Sequence, residues 1–407
     1  LTECRRTSLR VVKDGTAFMD VGMLHGVTVL EMASVISGPF AGMLLADLGA
    51  RVIKVEAPGQ GDAFRVWAGG SDEISSAFAA YNRAKESVAL DIKTEAGRAA
   101  YRSLAARVDV ILDNFRPGKL DELGIGPESL RAAYPHLVYC SVSGMGQVGP
   151  LRDRPTYDAV AQAMGGLWSQ LTDMSAPRPV GPPISDQLTG LYAAQGILAA
   201  LLARARTGEG RWLDVSMLGA TIAFQPHAIA EYLNGGKIAD SGSRARISQS
   251  YAFVCADDLP LAVHLSSPPK FWAALLRVVE RPDLADDPRF ATKADRETHY
   301  EALHAELAAS FRTRPRDVWI DLLVAADVPC GPINTVAEAL DAPQAQALGM
   351  TRRFGSGPRA IDLVGSGISD MAQPDTAARR PVPRLGEHTA AVLAEFGASR
   401  PDTGAAE

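Results

Sequence analysis

The chain has 407 residues, enough for two domains or one large one, with 47% apolar and 22% charged residues, an ordinary soluble globular composition. A net charge of −6 argues against general nucleic-acid binding and against a basic membrane-surface role, so any anion site must be a local cluster. Cys4, Cys140, Cys255 and Cys330 form no CxxC pair and the histidines no HxxxH or HExxH pattern, so neither a disulfide framework nor a metal site is supported.

Residues 1–20 are polar, carry four basic residues and lack the apolar segment of a secretory signal. They predict a cytoplasmic protein with a poorly ordered arm, and the opening Leu1 reads as a trimmed or engineered start. Residues 27–32 read as a strand, 40–48 as a helix stopped by Gly49, and 51–56 as a second strand. A helix over 93–108 and strands over 110–112 and 137–142 follow. This alternation predicts a parallel, doubly wound α/β sheet with ligands at the carboxyl ends of its strands. The loop Ser37-Gly38-Pro39-Phe40-Ala41-Gly42 is not GxGxxG, which argues against NAD.

An apolar run over 188–203 predicts a buried helix closed by Thr207-Gly208, with a strand at 212–216 after it. Interrupted by Gln195 and glycines, the run is short for a membrane span. Beyond Met217 come a Gly-rich basic stretch at 234–246, a strand pair at 251–255 and 261–264, and a helix starting near Phe271. A helix over 295–311 sets Leu303, Leu307 and Phe311 on one face, Pro329-Cys330-Gly331-Pro332 breaks the chain, and 338–348 is helical again. From 359 to 396 one short strand precedes a closing helix over 389–396. The division expected is an arm at 1–20, a large Rossmann-like domain at 21–224, a smaller α+β domain at 225–335, and a linker with return to the large domain at 336–407.

Asp186 stands directly ahead of the apolar run, where a carboxylate meets the positive end of the helix dipole. On pattern alone it is a helix cap. Its neighbours say more. Ser141-Val142-Ser143-Gly144-Met145-Gly146-Gln147, Arg152-Asp153-Arg154-Pro155-Thr156-Tyr157-Asp158 and Ala161-Gln162-Ala163-Met164-Gly165-Gly166 precede it. Arg206-Thr207-Gly208-Glu209-Gly210 and Asp214-Val215-Ser216-Met217-Leu218 follow, with Asn114-Phe115-Arg116-Pro117-Gly118 upstream and Arg384-Leu385-Gly386-Glu387-His388-Thr389 near the end. In this order, over roughly residues 25–395, the chain resembles the class III CoA-transferases, the CaiB/BaiF family.

The resemblance implies a large Rossmann-like domain and a small domain joined by two linkers, in an interlocked homodimer. It implies an enzyme with no permanently bound cofactor, taking coenzyme A thioesters as substrate and a carboxylic acid as acceptor, with no nucleic-acid or membrane partner. Asp186 falls at the nucleophile. A carboxylate attacking a thioester gives a mixed anhydride, dividing one hard step into two easier ones. The CoA contacts carried over are Ile36, Ser37, Leu90, Asp91, Ile92, Lys93, Asn114, Phe115, Arg116, Thr156, Tyr157 and Asp158. Lys93 and Arg116 can neutralise phosphate, while Leu90 and Phe115 can offer apolar surface to adenine or pantetheine. For each the plain alternative is core packing or a solvated charge. Where the family often has arginine this chain has Ala57 and Glu122, which leaves the phosphates to Lys93, Arg116 or Lys119.

Two other functions stand beside the transferase. A 2-methylacyl-CoA racemase needs an acid/base group on each face of the alpha carbon, in this family a histidine opposite the aspartate. The stretch 141–164 has no histidine; Tyr157 is its stand-in, a poor base since tyrosine ordinarily titrates near ~10, and Ser266-Ser267-Pro268-Pro269-Lys270 lacks the supporting glutamate. A non-catalytic CoA-binding paralogue would have no need of Asp186. Arg244 and Arg246 are candidates for a dicarboxylate acceptor, or solvated loop charges.

Overall fold

The computed structural model describes residues 9–11, 17–19, 22–69, 74–266, 268–369, 371 and 380–398. The expected arm at 1–20 lies largely outside these residues; within it Leu9–Val11 and Ala17–Met19 pair as a short antiparallel ladder. The chain divides into two compact units, one formed by Leu1–Leu167, Gly181–Pro226 and Gln346–Glu407, the other by Trp168–Val180 and His227–Ala345. The second unit therefore takes in residues 168–180 and extends to 345, where sequence pattern set limits at 225 and 335. Local periodicity carries no information about which distant residues such a short polar segment joins.

In the first unit six strands run parallel: β1 (Thr28–Met32), β2 (Arg51–Glu56), β3 (Glu86–Ala89), β4 (Val110–Asp113), β5 (Val138–Ser143) and β6 (Trp212–Ser216). Their order is β3-β2-β1-β4-β5-β6, that of a doubly wound sheet. The order reverses between β1 and β4, and the chain leaves those two strands in opposite directions. A crevice opens there, at the carboxyl ends.

Successive strand residues point to opposite faces, and both faces are covered, so the strands read as nearly continuous apolar runs. Val29, Val52, Val110 and Val138 pack on one face with Ala41 and Leu45 of α1 (Ser37–Asp47). Their successors Leu30, Ile53, Ile111 and Tyr139 pack on the other. There they meet Tyr101 and Leu104 of α3 (Glu95–Ala105), which follows α2 (Ser76–Asn82), and Leu130 of α4 (Pro127–Ala133). After β5 come α5 (Asp158–Met164) and α6 (Ile184–Thr207), and after β6 comes α7 (Met217–Ala223).

The helix expected over the apolar run and closed by Thr207-Gly208 is α6, which starts at Ile184. α6 has 24 residues, enough to cross a bilayer by length, and ends at Gly208, whose φ of 75° makes the left-handed turn a helix exit requires. Ala193, Ala194, Ile197 and Ala200 are buried in the same core as α1, which makes α6 a core helix.

β3 is a sheet edge. Residues 386–389 cover it: His388 N–H donates to Ser87 O (2.9 Å), and the Ala89 N–H donates to Thr389 Oγ1 (3.0 Å). Backbone groups that would otherwise be open to strand addition are satisfied. The one strand expected between 359 and 396 is Ile361–Val364, which pairs antiparallel with Thr351–Phe354 just before it.

The second unit holds β7 (Ser250–Val254), β8 (Pro260–His264) and β9 (Cys330–Pro332) in an antiparallel sheet ordered β9-β8-β7. Leu303, Leu307 and Phe311 are fully buried, as their four-residue spacing required. The helix expected over 295–311 is two helices, Lys293–Thr298 and Tyr300–Phe311, and the first is capped by a reciprocal Thr292–Asp295 pair.

Candidate active site

α6 begins after Pro183, and Asp186 is the third residue of its first turn. It caps nothing: the helix start has no side-chain cap, which corrects the reading from pattern alone. The turn is pinned instead by its neighbours, Ser185 Oγ lying 2.6 Å from Thr221 Oγ1 and Thr189 Oγ1 donating to Ser185 O at 2.6 Å. The Asp186 carboxylate is left to face a cavity of about 240 Å³.

That cavity is built from loops at the carboxyl ends of β1, β4 and β5. Ser34, Val35 and Ser37 follow β1, Asn114, Phe115 and Arg116 follow β4, and Gly144 and the stretch 154–157 follow β5. This is the crevice set by the reversal of strand order. A second cavity of about 250 Å³ is lined by Leu90, Asp91, Ile92 and Lys93 beyond β3, with Ala57 from the end of β2. Ser34 and Phe115 line both, so the two cavities meet along the carboxyl edge.

The expected residues thus gather in two groups. Ser37, Asn114, Phe115, Arg116, Thr156, Tyr157 and Asp186 line the first cavity, and Leu90, Asp91, Ile92 and Lys93 the second. Two residues line neither. The Ile36 side chain packs in the core with Phe64 and Phe78, because β1 feeds α1 with that position turned inward. Asp158, first residue of α5, accepts the Asp186 N–H through Oδ1 (3.2 Å) and Gln162 Nε2 through Oδ2 (2.6 Å).

Electrostatics around Asp186 are unusual for a carboxylate. Burial, then the negative charge of Asp158, push its pKa up to about 7, against a hydrogen bond from Ser37 that favours the charged form. Desolvation wins. The group is 8% exposed, and a carboxylate with a raised pKa is a stronger nucleophile than usual once ionised. The same cavity is lined by Arg116, Arg152 and Arg154, all exposed, a local set of cations on a chain of net charge −6, with Arg152 3.4 Å from Asp153.

Ala57 lines the second cavity, and Lys119 is paired to Glu122 at 2.7 Å. Of the three cations left for phosphate, Lys93 and Arg116 line cavities and Lys119 is taken by Glu122. In the second unit Arg246 pairs with Asp240 (2.6 Å), which braces its own loop, while Arg244 is exposed.

Several residues at the site had no role assigned from sequence. Ser34 and Val35 sit in the turn after β1, Arg152 and Arg154 were part of a motif without a role, and Asp113 ends β4. Asp113 accepts the Phe115 N–H at 3.0 Å and so sets the turn that carries Asn114, Phe115 and Arg116. Burial raises its pKa to about 7.

A doubly wound sheet with a buried acid and a cationic cluster at its switch point defines an enzyme acting on an anionic ligand. The model of CoA-transferase family III matches residues 24–389. The chain belongs to that family and is a CoA-transferase. It is similar to the acetyl-CoA:oxalate CoA-transferase of Acetobacter aceti, 37% identical over 93% of this chain and 96% of that one. The succinate–glutarate CoA-transferase of Agrobacterium fabrum is 35% identical over 92% of this chain and 95% of its own. Among solved structures, a CaiB/BaiF family protein from Brucella suis superposes with a TM-score of 0.80 at 34% identity, covering 92% of this chain and all of the other.

Proposed function

We propose that the protein moves coenzyme A from an acyl-CoA to a free carboxylic acid through covalent intermediates on Asp186. The observation that carries this is the buried Asp186 carboxylate, unused as a cap, opening on a cavity with the Ser37 hydroxyl and three arginines. The carboxylate attacks the thioester carbonyl and expels CoA thiolate, leaving an acyl–aspartyl anhydride. The thiolate attacks the aspartyl carbonyl, the donor acid leaves, and an aspartyl thioester remains. The acceptor carboxylate displaces the thiolate from it, forming a second anhydride, and thiolate attack on the acceptor's carbonyl gives the new thioester and frees Asp186. Each step breaks one acyl bond and makes another, so no external reductant or oxidant is needed.

CoA binding fits the two joined cavities. Arg116, Arg152, Arg154 and Lys93 supply positive charge for phosphates, and Leu90 and Phe115 an apolar surface for adenine or pantetheine. The test is a panel of acetyl-CoA and succinyl-CoA crossed with oxalate, glutarate and other acids, read by mass spectrometry. Asp186→Ala is expected to lower transfer by at least ~10³-fold with CoA binding retained, a loss of the order found when a catalytic group is removed. Hydroxylamine added during turnover should mark Asp186 in the wild type. Near-normal turnover by Asp186→Ala rejects the proposal.

A further inference from the structure

The turn that presents Ser34 and Ser37 contains a β-branched residue in the left-handed region: Val35 has φ of 70°. Such a conformation is costly for valine and persists only where surrounding structure enforces it. Beneath it lies a set of charges that the proposed chemistry leaves unused. Lys54 Nζ donates to Ala33 O (2.6 Å) and to Glu31 Oε1 (3.0 Å), and pairs with Asp62 Oδ2 at 2.9 Å. Asp62 Oδ1 accepts the N–H of Val35 itself (3.1 Å) and that of Phe64 (2.9 Å). Lys85 Nζ pairs with Glu31 Oε2 (2.7 Å) and donates to Pro39 O (2.9 Å), inside α1.

The side chains of Lys54, Glu31 and Lys85 are fully buried and that of Asp62 is 1% exposed. Two cations and two anions make the cluster neutral. Burying four charges brings a heavy desolvation cost, and an apolar core of equal volume would often be at least as stable, so stability alone is a weak reason for the cluster. What it does have is reach: it bonds backbone atoms on both sides of Val35, at residues 33, 35 and 39. Asn114 adds a second clamp, accepting the Ser34 N–H (3.0 Å) and donating to Ser34 O (2.8 Å).

We propose that the buried Glu31–Lys54–Asp62–Lys85 cluster is a positioning device, which holds Val35 left-handed so that Ser37 stands correctly against the Asp186 carboxylate and Ser34 keeps its place in the cavity wall. Asp62 is its critical member, being the group that touches Val35 directly. These residues act through the turn: Asp62 borders the second cavity, but its carboxylate is 1% exposed and is held by Lys54 and by the N–H groups of Val35 and Phe64. The inference rests on the reading of Asp186 as the nucleophile.

A double-mutant cycle tests it, because glycine adopts a positive φ without help. Asp62→Leu should lower kcat at least tenfold in the native background with KM for the acyl-CoA within twofold. In a Val35→Gly background the same substitution should cost less than threefold. Asp62→Asn, which keeps an acceptor for the Val35 N–H, should retain kcat within threefold and remain folded. Activity is read with acetyl-CoA plus oxalate or succinyl-CoA plus glutarate, whichever wild type turns over faster. Amide exchange gives a readout independent of substrate: the turn at 33–37 should be protected in wild type and opened in Asp62→Leu while the sheet stays protected. Equal losses in both backgrounds, a loss in Asp62→Asn matching Asp62→Leu, or an exchange pattern unchanged by Asp62→Leu overturns the device. Asp186→Ala run beside the cycle separates the two claims: its turnover judges the nucleophile, and the coupling judges the cluster.

Discussion

Asp186 has its pKa raised to about 7 by burial and by Asp158, and this has two measurable consequences of opposite kind. As a nucleophile it must be ionised, so kcat/KM should fall tenfold per pH unit below about 7, unless substrate binding shifts the group. For stability the sign is set by proton uptake. The folded pKa lies above the ordinary 3.8, so between those values the native state holds more protons than the unfolded one. The stabilisation is complete below about 4 and is lost as pH rises through 7. Asp186→Asn removes the cost of burying a charge and should therefore stabilise the fold above pH 7, by ~1–3 kcal/mol, with little effect near pH 4. Thermal melts of both proteins across this range check it. Equal melting temperatures at pH 8 would count against a buried, destabilising carboxylate. The same cavity bears on racemisation. Among the described residues its lining contains no histidine, and Tyr157, the stand-in that the resemblance implies, is an exposed tyrosine. Incubation with 2-methylacyl-CoA in heavy water should give no catalytic deuterium uptake at the alpha carbon.

The next scale is the contact of α6 with α1. Gly190, one turn beyond Asp186, meets Phe40 and the Ser37 carbonyl so closely that an added Cβ would lie 2.8 Å from each. Part of that obstacle is backbone, which cannot swing aside. Gly190→Ala should thus push the two helix starts apart, costing ~1–3 kcal/mol and lowering kcat through the Ser37–Asp186 contact. A variant with unchanged melting temperature and kcat would refute this. The apolar strands and the exit of α6 at Gly208 were legible because each carries its own periodicity or punctuation. β3 was not. Its residues Glu86, Ser87, Val88 and Ala89 carry no strand pattern, since Glu86 is held by Arg51 and Arg380 and Ser87 by Glu56. Ion pairs from distant parts of the chain make that polar segment a buried edge strand. Likewise the motif residues include Asp186 and most of the residues that line the two cavities, but Val35 and Asp62 became visible only with backbone angles and contacts that no local pattern encodes.

At the scale of the whole molecule, the question is what covers the apolar surface that the first unit leaves open. Leu191 and Leu202 on the core helix α6 are 48% and 58% exposed, and Ile222 and Phe224 at the end of α7 are 41% and 51% exposed. Isolated exposed leucines need no explanation, but these lie on or at the end of helices whose other faces are buried, and Leu191 and Leu202 share the helix that carries Asp186. We propose that a second copy of the chain covers them, in the interlocked homodimer that the family resemblance implies. Threaded subunits share a large surface and would have no stable free monomer, so folding and association become one event. Light scattering at micromolar concentration should then give twice 43.1 kDa, without dissociation on dilution. Chemical denaturation should show a midpoint that rises with protein concentration. Leu202→Asp, which puts a charge on this surface far from the carboxylate end of α6, should lower that midpoint. A monodisperse species of 43.1 kDa with concentration-independent unfolding would exclude the homodimer and leave these side chains as solvent-facing.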